Sequence, residues 1–508
     1  MNGNLSAPLG GGVMALLNPA PIVACICSLL AIAIEDEQMQ VDEEHLRTMI
    51  RNDNRRRRRR HGRNLNDDGD RNVSVKRRKV NWDHERAYKC VVADYFCPIA
   101  RRFDDKQFER ILRITPTLAE MILNRLATTD EWWTLRWDCT KKMSNAPEVK
   151  LIAALKMAAY GESFVAWQDY CQMGESTARE CLSRLMKSLV EDNYFSGVYM
   201  RRMSRADARK VEGLHSLNFG VQGCLGCLDV MLLPWGNCPN AWKGQYCGRN
   251  KKPKIALEAA CDYNLWIWHA FFGEPGSLND INVWERSPLL HDMTHGQIQD
   301  IDFDFVINGE TFHQLYWLVD GIYPRLSRFL KSVVNPTLRI DREYASWQEG
   351  KRKTIERGFG VLEKKFHITV NPIHLYFMED IRTIVLGCIV LHNMMVKVRM
   401  EDDIQESADL YQLLSHNVPN YDVRAAEAAI EQEDADYAAA PMNFRQQKED
   451  AEVLGHQLRI VQFYWKELSD ANSHLRLQNA VKRELYYKEH GPNADVDELD
   501  SSYDPLAE

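Results

Sequence analysis

Residues 227–235 read CLDVMLLPW, and the interpretation of this stretch decides the fold. With Leu225 ahead of it, Leu228, Val230, Met231, Leu232 and Leu233 make a short apolar run that reads as a buried strand. An aspartate inside such a strand, Asp229, is costly unless its charge meets a cation. Lys254 to Ala260 and Leu265 to Phe272 are two further β-rich runs, joined by a turn at Asp262 and Asn264. The three runs predict an antiparallel meander with Asp229 on its first, central strand.

Two acids further along could join it. Leu315 to Val319 is strand-like and breaks at Asp320-Gly321. Glu356 lies in a segment where Trp347, Ile355, Phe359 and Leu362 recur at helical spacing. A strand aspartate, a strand-end aspartate and a helix glutamate form an arrangement that holds two divalent cations for in-line attack at a phosphodiester. Hard oxygen ligands suit Mg²⁺ or Mn²⁺.

Five ordered blocks extend this pattern: LDVMLLPWGNCPNAWKGQY from Leu228, LWIWHAFFGEPGSLNDINVWERSPL from Leu265, YWLVDGIYPR from Tyr316, IERGFGVLEKKF from Ile355 and LHNMM from Leu391. In these blocks the chain resembles the DDE transposases of the PIF/Harbinger superfamily, particularly the plant-transposon-protein type. The resemblance runs from about residue 100 to 491. It implies an α/β core of RNase H-like fold with Asp229, Asp320 and Glu356 as catalytic, metal-binding triad, and a supporting acid at Asp280 in the GSLND block. It also implies cleavage and strand transfer at the terminal repeats of a DNA transposon, a DNA target, and a separate Myb-like DNA-binding partner. It admits a homo-oligomer. The alternative is a domesticated descendant that binds DNA or acts as a scaffold without catalysis.

With 508 residues, 45% of them hydrophobic, the chain is globular on average and long enough for two or three domains. The formal net charge of −8 averages segments of opposite sign. Thirteen cysteines with little pairing pattern fit a reducing compartment. Cys224 and Cys227 are spaced CxxC, but Cys238 and Cys247 do not supply a second close pair, so all four read as small buried residues rather than zinc ligands. Ala20 to Ile34 is apolar but too short to span a bilayer and has no basic residue before it, so no membrane is expected.

The expected organisation has five parts. Residues 1–81 are a low-order extension whose clusters Arg55–Arg60 and Lys76–Lys79 suggest nuclear import and a phosphate-binding arm. Residues 82–218 form an all-α, helix-turn-helix-like domain, 219–400 the nuclease domain, 401–450 a disordered acidic linker, and 451–508 a helical segment with a tail.

Within the helical domain, a short helix over Ser163–Cys171, a turn at Gly174 and a helix over Thr177–Val190 with a Thr177/Glu180 capping box make the helix-turn-helix layout. Leu182, Leu185 and Leu189 would face inward, leaving Arg179, Arg184 and Lys187 for DNA. The loop after the first core strand sets Lys243, Arg249, Lys251, Lys252 and Lys254 among Trp235, Trp242 and Tyr246, a mixture that suits phosphates and exposed bases. Arg325 and Arg328, on an apparent helix after Asp320, and Arg357 beside Glu356 complete the DNA-binding set. His392, on the apolar helix Leu386–Met395, reads as a core histidine.

Overall fold

The computed structural model describes residues 80–139, 141–248, 251–371, 374–414, 461 and 463–491. Nearly all of the 1–81 extension with its basic clusters, Arg249, the linker beyond residue 414 and the tail beyond 491 lie outside the described residues.

The N-terminal half is helical: α1 His84–Val91, α2 Asp105–Leu112, α3 Pro116–Thr129, α4 Pro147–Tyr160, α5 Gln168–Cys171, α6 Glu175–Glu191, α7 Asn193–Tyr199 and α8 Arg205–Phe219. Local chemistry sets the boundaries. Thr115 caps α3 and Pro116 opens it, while Gly161 ends α4 at φ +60°. The helix after the turn begins two residues earlier than expected, on Gly174 with no side-chain cap, so Thr177 lies inside α6 and the anticipated capping box does not form.

Among the described residues seven strands and six α-helices follow. They are β1 Cys224–Pro234, α9 Lys243–Tyr246, β2 Lys254–Cys261, β3 Ile267–Pro275, α10 Asp280–Trp284, α11 Pro288–Thr294, β4 Phe305–Ile307, β5 Glu310–Phe312, β6 Tyr316–Val319, β7 Phe329–Lys331, α12 Arg339–Lys365, α13 Met378–Leu414 and α14 Ala471–His490. Five strands form a mixed sheet in the order β3-β2-β1-β6-β7, with β1–β3 an antiparallel meander and β6 and β7 parallel to β1. The molecule is thus mixed α/β, with the Asp229 strand at the centre of the sheet. β4 and β5 form a separate hairpin.

Gly226 marks the irregularity where β1 registers with β6. Its φ is +141°, and a Cβ there would collide with the carbonyl of Cys261. The long helix α12 lies against β1, where the Cys227 thiol meets the Lys351 carbonyl at 3.4 Å, and against the end of α8, where the Trp347 indole donates to the Phe219 carbonyl at 2.8 Å.

The boundary expected at 218/219 is not a break in the core, since α6 packs against α13 and the buried residues of both halves form one cluster. Residues Met378–Asp402 of α13 are apolar and long enough to cross a membrane, yet 72% of the most apolar window is buried in the protein, which marks a core helix. Inside it His392 is buried against the Leu265 carbonyl at 2.8 Å, and Asn393 exchanges hydrogen bonds with the backbone of Ile267.

Asp320 is not followed by a helix. The chain turns and enters β7, and Arg328 is only 1% exposed, its guanidinium spent on Asp302 and on the Leu315 carbonyl. It is a structural ion pair, not a DNA contact. Because removing one partner strands the other inside the protein, Arg328→Ala is expected to lose about 3–5 kcal/mol, read as a fall in the urea midpoint.

Candidate metal centre

The three expected acids come from three elements. Asp229 sits opposite Ala259 in the β1–β2 ladder, with its side chain 17% exposed. Cys227 pairs with Leu318 across the parallel β1–β6 ladder. Two residues on from that pair come Asp229 within β1 and Asp320 just past the end of β6, and the charge of Asp320 acts on Asp229. Glu356 approaches from α12, with its side chain 49% exposed.

Backbone amides and one arginine satisfy these carboxylates. Val230 N–H donates to Asp229 Oδ1 at 2.9 Å, and Gly321 N–H donates to Asp320 Oδ1 at 2.7 Å. Arg352, one helical turn before Glu356, reaches Asp229 Oδ2 with Nη1 at 2.9 Å and Glu356 Oε1 with Nη2 at 3.1 Å. One guanidinium thus bridges the strand acid and the helix acid.

The acids feel one another. Burial raises the Asp229 carboxyl above its ordinary range, against the pull of the Val230 amide and Arg352, and the charges of Asp320 and Glu356 push it further up. Asp280, on the first turn of α10 behind the Asn279 cap, is pushed up to about 6 by burial and by Asp229, Asp320 and Glu258. It belongs to the same neighbourhood of charge.

Two groups the sequence reading did not single out lie beside it. Glu258, opposite Val230 on β2, is wholly buried, and neither carboxylate oxygen has a hydrogen-bond partner among the described residues; His269 Nε2 is 3.6 Å away. Tyr323 is equally buried with its hydroxyl unpartnered, and burial together with Glu258, Asp280, Asp229 and Asp320 drives its acidity well down. The signal for Glu258 was the one that drew attention to Asp229, an acid inside an apolar strand.

This donor set is all oxygen, and it already holds a cation in the form of the Arg352 guanidinium, so it fits hard divalent ions chemically. The triad is not drawn into a tight ligand cage. Among the described residues, the group whose ligand atoms all lie within 4.8 Å of one another is Glu343, Glu489 and His490, where Arg339 also bonds to Glu343.

The basic residues divide. Lys243, Lys251, Lys252, Arg325 and Arg357 are exposed, and Lys254 is half-buried at the start of β2. The aromatic rings of the loop do not face solvent as base-stacking would require. Trp235 and Tyr246 are 1% and 2% exposed, donating to the carbonyls of Leu375 and Gly273, and Trp242 packs on Trp235. They pin the loop and leave the lysines to carry any DNA contact. On α6, Arg179 pairs with Glu175, Arg184 with Glu180 and Asp130, and Lys187 with Glu191.

Residues 198–404, the segment that contains the sheet and all of these acids, match the family described as plant transposon protein. This segment is similar to Harbinger-related, transposase-like proteins. Over 261 residues, 49% of this chain and 67% of the relative, the sequence is 23% identical to the Mus musculus protein HARBI1, whose name presents it as a candidate nuclease. No solved structure matches. The matched segment therefore contains each acid that the motifs single out.

The raised Asp280 carboxyl has a consequence for stability. Between its ordinary 3.8 and about 6 the folded protein retains a proton that the unfolded chain has released, so stability falls as pH rises through that window. Asp280→Asn is expected to flatten part of this fall and to raise the urea midpoint at pH 7, with little change at pH 4.

Proposed function

We propose that the chain is a metal-dependent DNA nuclease of the DDE transposase type, with an RNase H-like core, acting in the nucleus on transposon ends and target DNA. The observation that carries the reading is that Asp229 on β1 and Glu356 on α12 share the Arg352 guanidinium, while Asp320, just past the end of the adjacent parallel strand β6, adds its charge to theirs. The sheet order β3-β2-β1-β6-β7, antiparallel in its first three strands and parallel in its last two, supports the RNase H-like assignment.

Bound among these carboxylates, two Mg²⁺ or Mn²⁺ ions would serve the attacking water or 3′-hydroxyl and the departing oxygen of the phosphodiester. The protein's part is to fix the acids. Asp229 and Asp320 are anchored by neighbouring backbone amides at the end of a buried sheet, and Glu356 stands at the solvent-facing side. Lys243, Lys251, Lys252, Lys254, Arg325 and Arg357 would steer the polyanion toward them. Arg179, Arg184 and Lys187 are weaker contributors because each already meets a carboxylate. A Myb-like DNA-binding partner and nuclear import by the basic clusters belong to the same reading.

One observation favours a domesticated, non-catalytic DNA-binding protein instead. Arg352 offsets the repulsion between Asp229 and Glu356 without any metal, so an intact triad is not by itself a sign of catalysis. Incubating the protein and a Myb-like partner with terminal-repeat DNA and Mg²⁺ separates the two. Strand cleavage is expected, and Asp229→Ala should lower it by more than about a hundredfold at saturating DNA, since losing a ligand exceeds the effect of losing a ligand's support. Binding without cleavage by the unaltered protein would favour the domesticated reading.

A further inference from the structure

Asp229 has two carboxylate oxygens, and both are engaged. Oδ1 accepts the N–H of the next residue, Val230, and Oδ2 accepts Arg352 Nη1. The other terminal nitrogen of Arg352 lies on Glu356. A divalent ion shared by Asp229 and Glu356 therefore competes with the guanidinium for the same oxygens.

The competition is strong because the inner half of the bridge is shielded. Arg352 and Asp229 side chains are 16% and 17% exposed, so water and salt screen little of the repulsion between the guanidinium and an arriving dication. The outer half is looser, since Glu356 is 49% exposed. Arg352 can let go at that end and swing outward on its own stem without disturbing α12, whose buried face is carried by Ile355, Phe359 and Leu362. It needs an acceptor when it does. A phosphodiester offers a guanidinium the paired oxygens that the carboxylates offered, and the same DNA would sit over this end of the sheet.

We propose that Arg352 is a resident cation that holds the metal site closed in the DNA-free protein and is drawn off by a DNA phosphate, so that metal loading and DNA binding are coupled. The inference rests on the assignment of Asp229 and Glu356 as metal ligands. Coupling is reciprocal, so Mn²⁺ tightens DNA binding by the factor by which DNA tightens Mn²⁺ binding.

The test is Mn²⁺ binding to the full-length protein, read as loss of the free-ion electron paramagnetic resonance signal, with and without duplex DNA. In the unaltered protein DNA is expected to tighten binding about tenfold. Arg352→Gln should bind Mn²⁺ about tenfold tighter than the unaltered protein without DNA, with no further gain from DNA. Arg352→Lys, which keeps the charge but not the fork, should fall between them and guards against a folding artefact. Adding Asp229→Asn to Arg352→Gln should abolish the tight site. Equal affinity in the unaltered protein and Arg352→Gln, still sensitive to Asp229→Asn, would overturn the resident-cation role and leave the metal site standing. If no binding depends on Asp229 in any variant, with or without DNA, the metal-site assignment fails and this inference with it.

Discussion

Carboxylates crowded at the end of a buried sheet cannot all stay charged without a cation among them, and the Asp229–Arg352–Glu356 bridge is where this protein supplies one. Much of the surrounding structure is arranged to make that crowding possible. β1 is central in the sheet and Asp229 is fixed in its ladder with β2, while α12 is held to β1 by the Cys227 contact and to the end of α8 by Trp347, which keeps Glu356 near the strand acids. Asp280 and Glu258 add further negative charge from α10 and β2, and the raised Asp280 carboxyl is the electrostatic mark of it.

A scaffold that forces like charges together stores unfavourable energy that any suitable cation relieves. The guanidinium does so internally, and two dications would do so with more charge and with chemistry. The same logic assigns different parts to the basic residues. Arg328, enclosed and paired with Asp302, holds the β6–β7 end of the sheet together, whereas the lysines of the β1–β2 loop stay exposed on a frame of buried rings. Position in the fold, not residue type, separates structural from substrate-facing cations.

How legible this was in the sequence follows from signal length. The β1–β3 meander, Asp229 within it, Asp320 at a strand end and Glu356 on a helix were readable because each lies in an apolar or periodic run of several residues. β7 has three residues, too few for a period, so Arg325 and Arg328 read as helical and Arg328 as surface. The tryptophans of the loop carried no cue to their burial, because their partners, the backbone of Leu375 and neighbouring rings, are remote in the chain or lie in the same loop. Arg352 carried no distinguishing cue, since its bond to Asp229 spans more than a hundred positions. Glu258 was visible by the argument applied to Asp229 and was hidden only by the strand-forming residues around it.

The most direct measurement is anomalous diffraction from crystals of this protein bound to duplex DNA and soaked in Mn²⁺. The account predicts density among Asp229, Asp320 and Glu356 with the Arg352 side chain turned away from Asp229. Density confined to Glu343, Glu489 and His490, or none at all, with the guanidinium still bridging Asp229 and Glu356, would contradict it.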